Sequence, residues 1–153
     1  MNKKIVLLVE DNADDEELTL RAFRQSQIPT QVIVAHDGVE ALDYLFRTGK
    51  FAERDPAEIP HLILLDLKLP KVSGLEVLQR LRAHPPTQII PVVCLTSSNE
   101  ENDIDSAYRL GANSYVRKAV DFYQFVEHIH ILSRYWLVIN QQPPALTGAG
   151  DNR

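Results

Sequence analysis

The sequence predicts an α/β domain: a doubly wound, five-stranded parallel sheet with helices on both faces. Two observations carry this reading. Strand-like and helix-like segments alternate from the first residues to about residue 139, and four short apolar segments each run straight into polar groups. Ile5-Val-Leu-Leu-Val9 leads into Glu10 and Asp11, Leu62-Ile-Leu-Leu65 into Asp66, Pro91-Val-Val-Cys-Leu95 into Thr96, and Ser114-Tyr-Val-Arg117 into Lys118. In parallel α/β sheets the ligand crevice lies beyond the carboxyl ends of the strands, so these groups are expected to converge. Crowded carboxylates repel unless protons or a cation offset them, and hard divalent cations such as Mg²⁺ prefer oxygen ligands. Three carboxylates, a hydroxyl and an amine therefore predict a metal and a phosphoryl-type ligand.

The elements follow in order. After the first strand, Asn12 can cap a helix whose first turn holds Asp14, Asp15, Glu16 and Glu17, acids favoured against the positive helix end. Asp14 and Asp15 are expected to be solvated. The inward stripe of this helix is Leu18, Ala22 and Phe23. Thr30 to His36 reads as the second strand, and Gly38 to Thr48 as a helix with Val39, Leu42, Leu45 and Phe46 on one side, ended by Gly49. Residues 50–60 are polar and contain prolines, longer than the usual loop of about 2–6 residues, and are expected to be an insertion. The third strand ends at Asp66, and Pro70 and Gly74 frame the entry to a helix carrying Leu75, Val77, Leu78 and Leu81, stopped by Pro85 and Pro86. A fourth helix, from about Glu100 to Leu110, separates the fourth and fifth strands, with Gly111 closing it. Asp121 begins the last helix, whose expected core stripe is Phe122, Val126, Ile129, Leu132, Trp136 and Ile139. Phe125, Ile131, Tyr135 and Val138 spread beyond that stripe, so the helix is expected to be covered on two sides. From residue 140 the composition loses periodicity and reads as a disordered tail, leaving 1–139 as one domain.

Composition is that of an ordinary globular domain. The chain has 153 residues, 44% apolar and 24% charged, with a net charge of -5. The acidic balance gives no electrostatic reason for binding nucleic acid or membrane. Lys3 and Lys4 precede an apolar stretch too short for a signal peptide, and no run approaches the roughly 20 apolar residues of a membrane span, so a cytoplasmic protein is expected. Cys94 is the single cysteine and sits within an apolar strand, which makes it an inert core thiol in a reducing compartment. His128 and His130 project to opposite sides of their helix and cannot chelate one metal, while His36, His61 and His84 lack partners at ligand spacing.

In order and spacing, Val9-Glu-Asp-Asn12, Leu64-Leu-Asp-Leu-Lys-Leu-Pro70, Leu95-Thr-Ser97 and Gly111-Ala-Asn-Ser-Tyr-Val-Arg-Lys118 resemble the receiver domain of two-component response regulators, of the stand-alone kind typified by the chemotaxis regulator. The resemblance reaches about residue 125. It implies the flavodoxin-like receiver fold with strand order 2-1-3-4-5. It also implies that Asp66 is the phospho-acceptor, its carboxylate attacking phosphorus to form an acyl phosphate. Mg²⁺ is implied to be held by Glu10, Asp11, Asp66 and the backbone carbonyl of Lys68, with Asp11 a direct ligand and Glu10 acting directly or through water. Thr96 and Lys118 are implied to meet phosphoryl oxygens, and Tyr115 to be the aromatic switch that follows Thr96. Phosphorylation then alters the surface formed by the fourth helix, fifth strand and fifth helix.

Further features resemble the small regulators paired with cyanobacterial phytochrome histidine kinases. These are the long loop before the third strand, Leu69-Pro-Lys71, Thr96-Ser-Ser98, Val120-Asp-Phe-Tyr-Gln-Phe125 and Tyr135-Trp-Leu137. That likeness implies a phytochrome histidine kinase as phosphodonor and a homodimer through the face just named; with no output domain in the sequence, signalling is expected to run through protein contact. Two positions depart from the family. Ala119 stands where a proline, often after a cis bond, usually follows the lysine, so the loop is either trans or strained. Lys68 stands where close relatives often have Asn, at a position that tunes the lifetime of the phosphoryl group. Two rival readings remain. An aspartate-nucleophile phosphatase would need a second aspartate where Lys68 stands, and a degenerate receiver would bind partners without phosphorylation.

Overall fold

The computed structural model describes residues 3–147. Its order is β1 (Lys4–Val9), α1 (Ala13–Gln25), β2 (Thr30–Ala35), α2 (Gly38–Phe46), β3 (Leu62–Leu65), α3 (Gly74–Ala83), β4 (Val92–Thr96), α4 (Glu101–Arg109), β5 (Ser114–Arg117) and α5 (Phe122–Arg134). All strand pairs are parallel, in the order β2-β1-β3-β4-β5, as the sequence predicts. Consecutive side chains of a strand point to opposite faces, and this divides the core in two. Leu7, Val9, Ile63, Leu65, Val92 and Cys94 pack under α2 and α3 with Leu42, Leu45, Val77, Leu78 and Leu81. Val6, Leu8, Leu62, Leu64, Val93 and Leu95 pack under α1 and α5 with Phe23, Phe125 and Ile129. With both faces covered, the strands need continuous apolar runs, which is what Ile-Val-Leu-Leu-Val and Leu-Ile-Leu-Leu supply.

Helix starts agree with their capping residues. Asn12, Asp37, Ser73 and Asp121 each accept a hydrogen bond from a backbone N–H in the first turn of the helix they precede. Three expectations are corrected. The left-handed residue that ends α2 is Arg47 (φ 57), two positions before Gly49, and Val39 is largely exposed. The buried line of α5 is Phe125, Ile129, Ser133 and Leu137; of the expected stripe Ile129 is buried and Val126, Leu132 and Trp136 pack half-buried against the core, while Phe122 and Ile139 face outward. A π turn over Tyr135–Ile139 re-phases the helix end, and Ser133 is tolerated inside because its hydroxyl donates to the carbonyl of His130. The expected insertion at residues 50–60 is ordered. Gly49–Phe51 form a 3₁₀ turn, and Arg54 donates to the carbonyls of Tyr44, Asp55 and Glu58 while lying over the Tyr44 ring. The segment after residue 140 is placed rather than disordered up to 147. Gln142 donates to the carbonyl of Trp136, Pro144–Thr147 form one helical turn, and Leu146 packs against the core on the α2–α3 side. The rest of that expected tail lies outside the described residues. No helix among the described residues is long and apolar enough to cross a membrane.

Candidate functional site

From β1 the chain passes to β2 on one side and to β3 on the other, so the crevice opens over the carboxyl ends of β1 and β3. Register fixes what lines it. Val9 pairs with Leu65, which brings Glu10 and Asp66 out of the sheet side by side; Thr96 pairs with Arg117, and the Lys118 N–H donates to the carbonyl of Thr96 at 2.7 Å. Gly74 brings α3 against the loop that carries the acceptor. A Cβ there would stand 2.3 Å from the carbonyl oxygen of Asp66, so any larger residue displaces the backbone on either side of that carboxylate.

Asp66 is buried, and every oxygen of its carboxylate is engaged. Oδ1 accepts from Thr96 Oγ1 at 2.9 Å and from the backbone N–H of Lys68 at 3.1 Å, and Oδ2 accepts from Lys118 Nζ at 2.9 Å. Glu10 is equally buried; Oε1 lies 2.8 Å from Lys118 Nζ and Oε2 accepts from the N–H of Asn12. One carboxylate oxygen from each of Glu10, Asp11 and Asp66 can gather within 4.8 Å, and Asp11 is exposed to solvent. These are hard oxygen donors at a spacing that suits a small divalent cation, with an open side for water ligands. The backbone of Lys68 adjoins this cluster through its bond to Asp66, and its ammonium reaches across the mouth to Asp103 on α4 at 3.6 Å.

Electrostatics follow from burial. Desolvation pushes Glu10 up to about 7 from 4.5, against the pull of Lys118 and the Asn12 N–H. Burial works to lower Lys118, but its hydrogen bonds to Asp15, Glu10 and Asp66 outweigh it and raise the lysine, which stays an ammonium. The metal-free site thus keeps a proton on Glu10 into the neutral range. A cation must displace that proton, so divalent-metal affinity is expected to climb as pH rises, by up to roughly tenfold per unit below about pH 7, and to flatten above it. Calorimetric titrations in buffers of different ionisation enthalpy check this by counting the proton released; pH-independent binding would contradict it. By the same linkage, Glu10 contributes stability to the metal-free fold that is full below 4.5 and is lost as pH rises to about 7.

The sequence-predicted residues converge, with one addition. Asp15, expected to be solvated, places Oδ2 2.8 Å from Lys118 Nζ. Nothing in its local sequence separates it from Asp14, since both are acids in a helix's first turn. Tyr115 is half-buried, and its hydroxyl donates to the carbonyl of Ser98 at 2.8 Å, tying β5 to the loop that follows Thr96. The Lys118–Ala119 peptide is trans, as are all peptides among the described residues. Cys94 is fully buried, and burial pushes its thiol up to about 12, so it remains unreactive.

A five-stranded parallel sheet with this carboxylate cluster, hydroxyl and lysine at its strand ends defines a class, and residues 6–130 match the response regulator receiver domain family. The chain belongs to that family. Among its relatives is the response regulator Rcp1 of Synechocystis sp., 36% identical over 93% of this chain and 95% of that one. A Mn²⁺-bound structure of a regulator of the same name superposes with TM-score 0.85 at 34% identity, covering 92% of this chain and 99% of that one. The phosphorylated cyanobacterial phytochrome response regulator RcpA superposes with TM-score 0.88 at 37% identity, covering 93% and 99%. The bacteriophytochrome response regulator RtBRR is 51% identical with TM-score 0.73, covering 97% and 89%. This chain is therefore similar to response regulators associated with phytochromes.

Proposed function

We propose that the chain receives a phosphoryl group on Asp66 from the phosphohistidine of a phytochrome histidine kinase in the cytoplasm. The observation that carries this reading is the convergence of Thr96, Lys118 and the Lys68 N–H on one buried carboxylate flanked by Glu10 and Asp11. In the transfer, an Asp66 oxygen forms the new bond to phosphorus as the phosphorus–nitrogen bond breaks, and the electron pair leaves with the imidazole. Glu10, Asp11, Asp66 and the carbonyl of Lys68 would hold Mg²⁺, which would supply positive charge to offset that of the incoming group. Thr96 and Lys118 then donate to phosphoryl oxygens. Withdrawal of Thr96 from its present partner disturbs the loop to which the Tyr115 hydroxyl is bonded, so the α4-β5-α5 surface changes. The phosphorylated form of RcpA and the Mn²⁺ form of Rcp1 support the reading by likeness. Lys68 in place of a second aspartate disfavours a phosphatase, and the complete residue set disfavours a degenerate receiver. Phosphotransfer from a labelled phytochrome kinase in the presence of Mg²⁺ tests the donor; labelling by acetyl phosphate but by no such kinase would keep the acceptor and remove the partner.

The same face carries apolar groups without cover. β5 is an edge strand, Ile131 of α5 is 59% exposed, and Val120 and Tyr123 between and beside them are 99% and 81% exposed. A homodimer through the α4-β5-α5 face covers them. Light scattering after gel filtration is expected to give twice the chain mass, and Ile131→Glu to return it to one; a monomeric native chain at all concentrations would remove this part of the reading.

A further inference from the structure

Lys118 has three ammonium protons and three carboxylate partners: Glu10 at 2.8 Å, Asp15 at 2.8 Å and Asp66 at 2.9 Å. Its side chain is 7% exposed, so water reaches the ammonium poorly. Glu10 and Asp66 belong to the metal cluster, whereas Asp15 lies outside it. The backbone of Asp15 is fixed on both sides. Its N–H donates to Asn12 Oδ1 at 3.0 Å, and its carbonyl accepts from the buried Thr19 hydroxyl at 2.7 Å. The carboxylate is thus aimed at Lys118 by the first turn of α1.

Resting on the phospho-acceptor reading above, we propose that Asp15 is a positioning residue that restrains Lys118 in the unphosphorylated arrangement and so disfavours the phosphorylated state. Every proton of the ammonium is committed, so a new bond from Lys118 to a phosphoryl oxygen requires the release of one carboxylate. Asp15 is the partner that can be released. It is 25% exposed against 2% for Glu10 and 6% for Asp66, so water can take over its hydrogen bond after the lysine leaves. Its negative charge also opposes a phosphoryl dianion beside Asp66, and that opposition weakens the phosphorylated state further.

The test compares the native chain with Asp15→Asn, Asp15→Glu and Asp14→Asn at saturating Mg²⁺ and a fixed concentration of acetyl phosphate, reading the phosphorylated fraction by intact mass. Asp15→Asn keeps the side-chain shape and both backbone hydrogen bonds while removing the charge. The ratio of phosphorylated to free protein is expected to rise about fivefold or more in Asp15→Asn. It is expected to return toward native in Asp15→Glu, and to stay native in Asp14→Asn, whose exposed carboxylate shares the helix turn but has no contact with Lys118. The direction distinguishes a restraint from a structural role, because a residue needed only for folding would lower phosphorylation when removed. An unchanged or lowered ratio in Asp15→Asn, with the native chain phosphorylated, overturns the restraint and leaves the acceptor assignment standing. No adduct on the native chain overturns both.

Discussion

Asp66→Asn is expected to take up no phosphoryl group from acetyl phosphate and Mg²⁺ under conditions in which the native chain gains the mass of one. An amide has no anionic oxygen to attack phosphorus, and no neighbouring carboxylate holds an equivalent position. Glu10 is tied to Lys118 and the Asn12 N–H at the wall of the crevice, and Asp11 is open to water, with no hydroxyl or lysine partner among the described residues. Among the described residues only Asp66 has Thr96, Lys118 and a backbone N–H aimed at its oxygens. The substitution should leave the fold intact. The asparagine oxygen can still accept from Thr96 and Lys68, and Lys118 keeps Glu10 and Asp15, although the amide nitrogen is a donor and cannot accept from the ammonium as Oδ2 does. Relief of carboxylate crowding offsets part of the lost ion pair, so the unfolding free energy read from urea denaturation is expected to change by no more than about 1–2 kcal/mol. Divalent-metal affinity falls with the loss of one anionic ligand. An adduct of unchanged yield in Asp66→Asn, mapped to another residue, would move the acceptor elsewhere.

What could be read in advance was what depends on short-range pattern. Apolar runs ending in acids, threonine and lysine give the strands, and the rule that parallel sheets present their carboxyl ends to ligands turns five scattered residues into one site. Caps at Asn12, Asp37, Ser73 and Asp121 are likewise local chemistry. Features decided by contacts distant in sequence were hidden. Asp15 and Asp14 are equivalent acids until the fold brings Lys118, 103 positions away, against one of them. The buried line of α5 could not be phased because apolar residues surround that helix, and the choice of Phe125 over Phe122 is made by α1 and the sheet. A π turn then shifts its end, which no fixed 3.6-residue period anticipates. The left-handed residue after α2 is an arginine, so the expectation that glycine takes such positions pointed two residues too far. Arg82 gave no signal at all, being one basic residue in the last turn of a helix.

Arg82→Ala is expected to destabilise the chain by about 2–4 kcal/mol, because one guanidinium holds three segments together. Its Nε and Nη2 donate to the carbonyl of Gly111 at 3.0 and 2.8 Å, Nη2 also to Asn113 Oδ1 at 2.9 Å, and Nη1 to the carbonyls of Gln88 and Ile90 at 2.8 and 2.7 Å. The end of α3 is thereby tied both to the segment entering β4 and to the turn entering β5. Gly111 is glycine for the same reason: at φ +105, a Cβ would stand 2.9 Å from Arg82 Nε. Truncation leaves these carbonyls without their donor and loosens Asn113, whose side chain accepts from the N–H of Val92 at the first residue of β4. Since β4 and β5 carry Thr96 and Lys118 at their other ends, the cost is expected to appear first as faster amide exchange across that strand pair. Arg82→Lys should recover less than half of the loss, because an ammonium cannot reach three segments from one side chain. Urea denaturation checks both variants through the midpoint at unchanged m-value. A native-like midpoint in Arg82→Ala would mean that water replaces the guanidinium without cost, and that strand packing alone aligns β4 with β5.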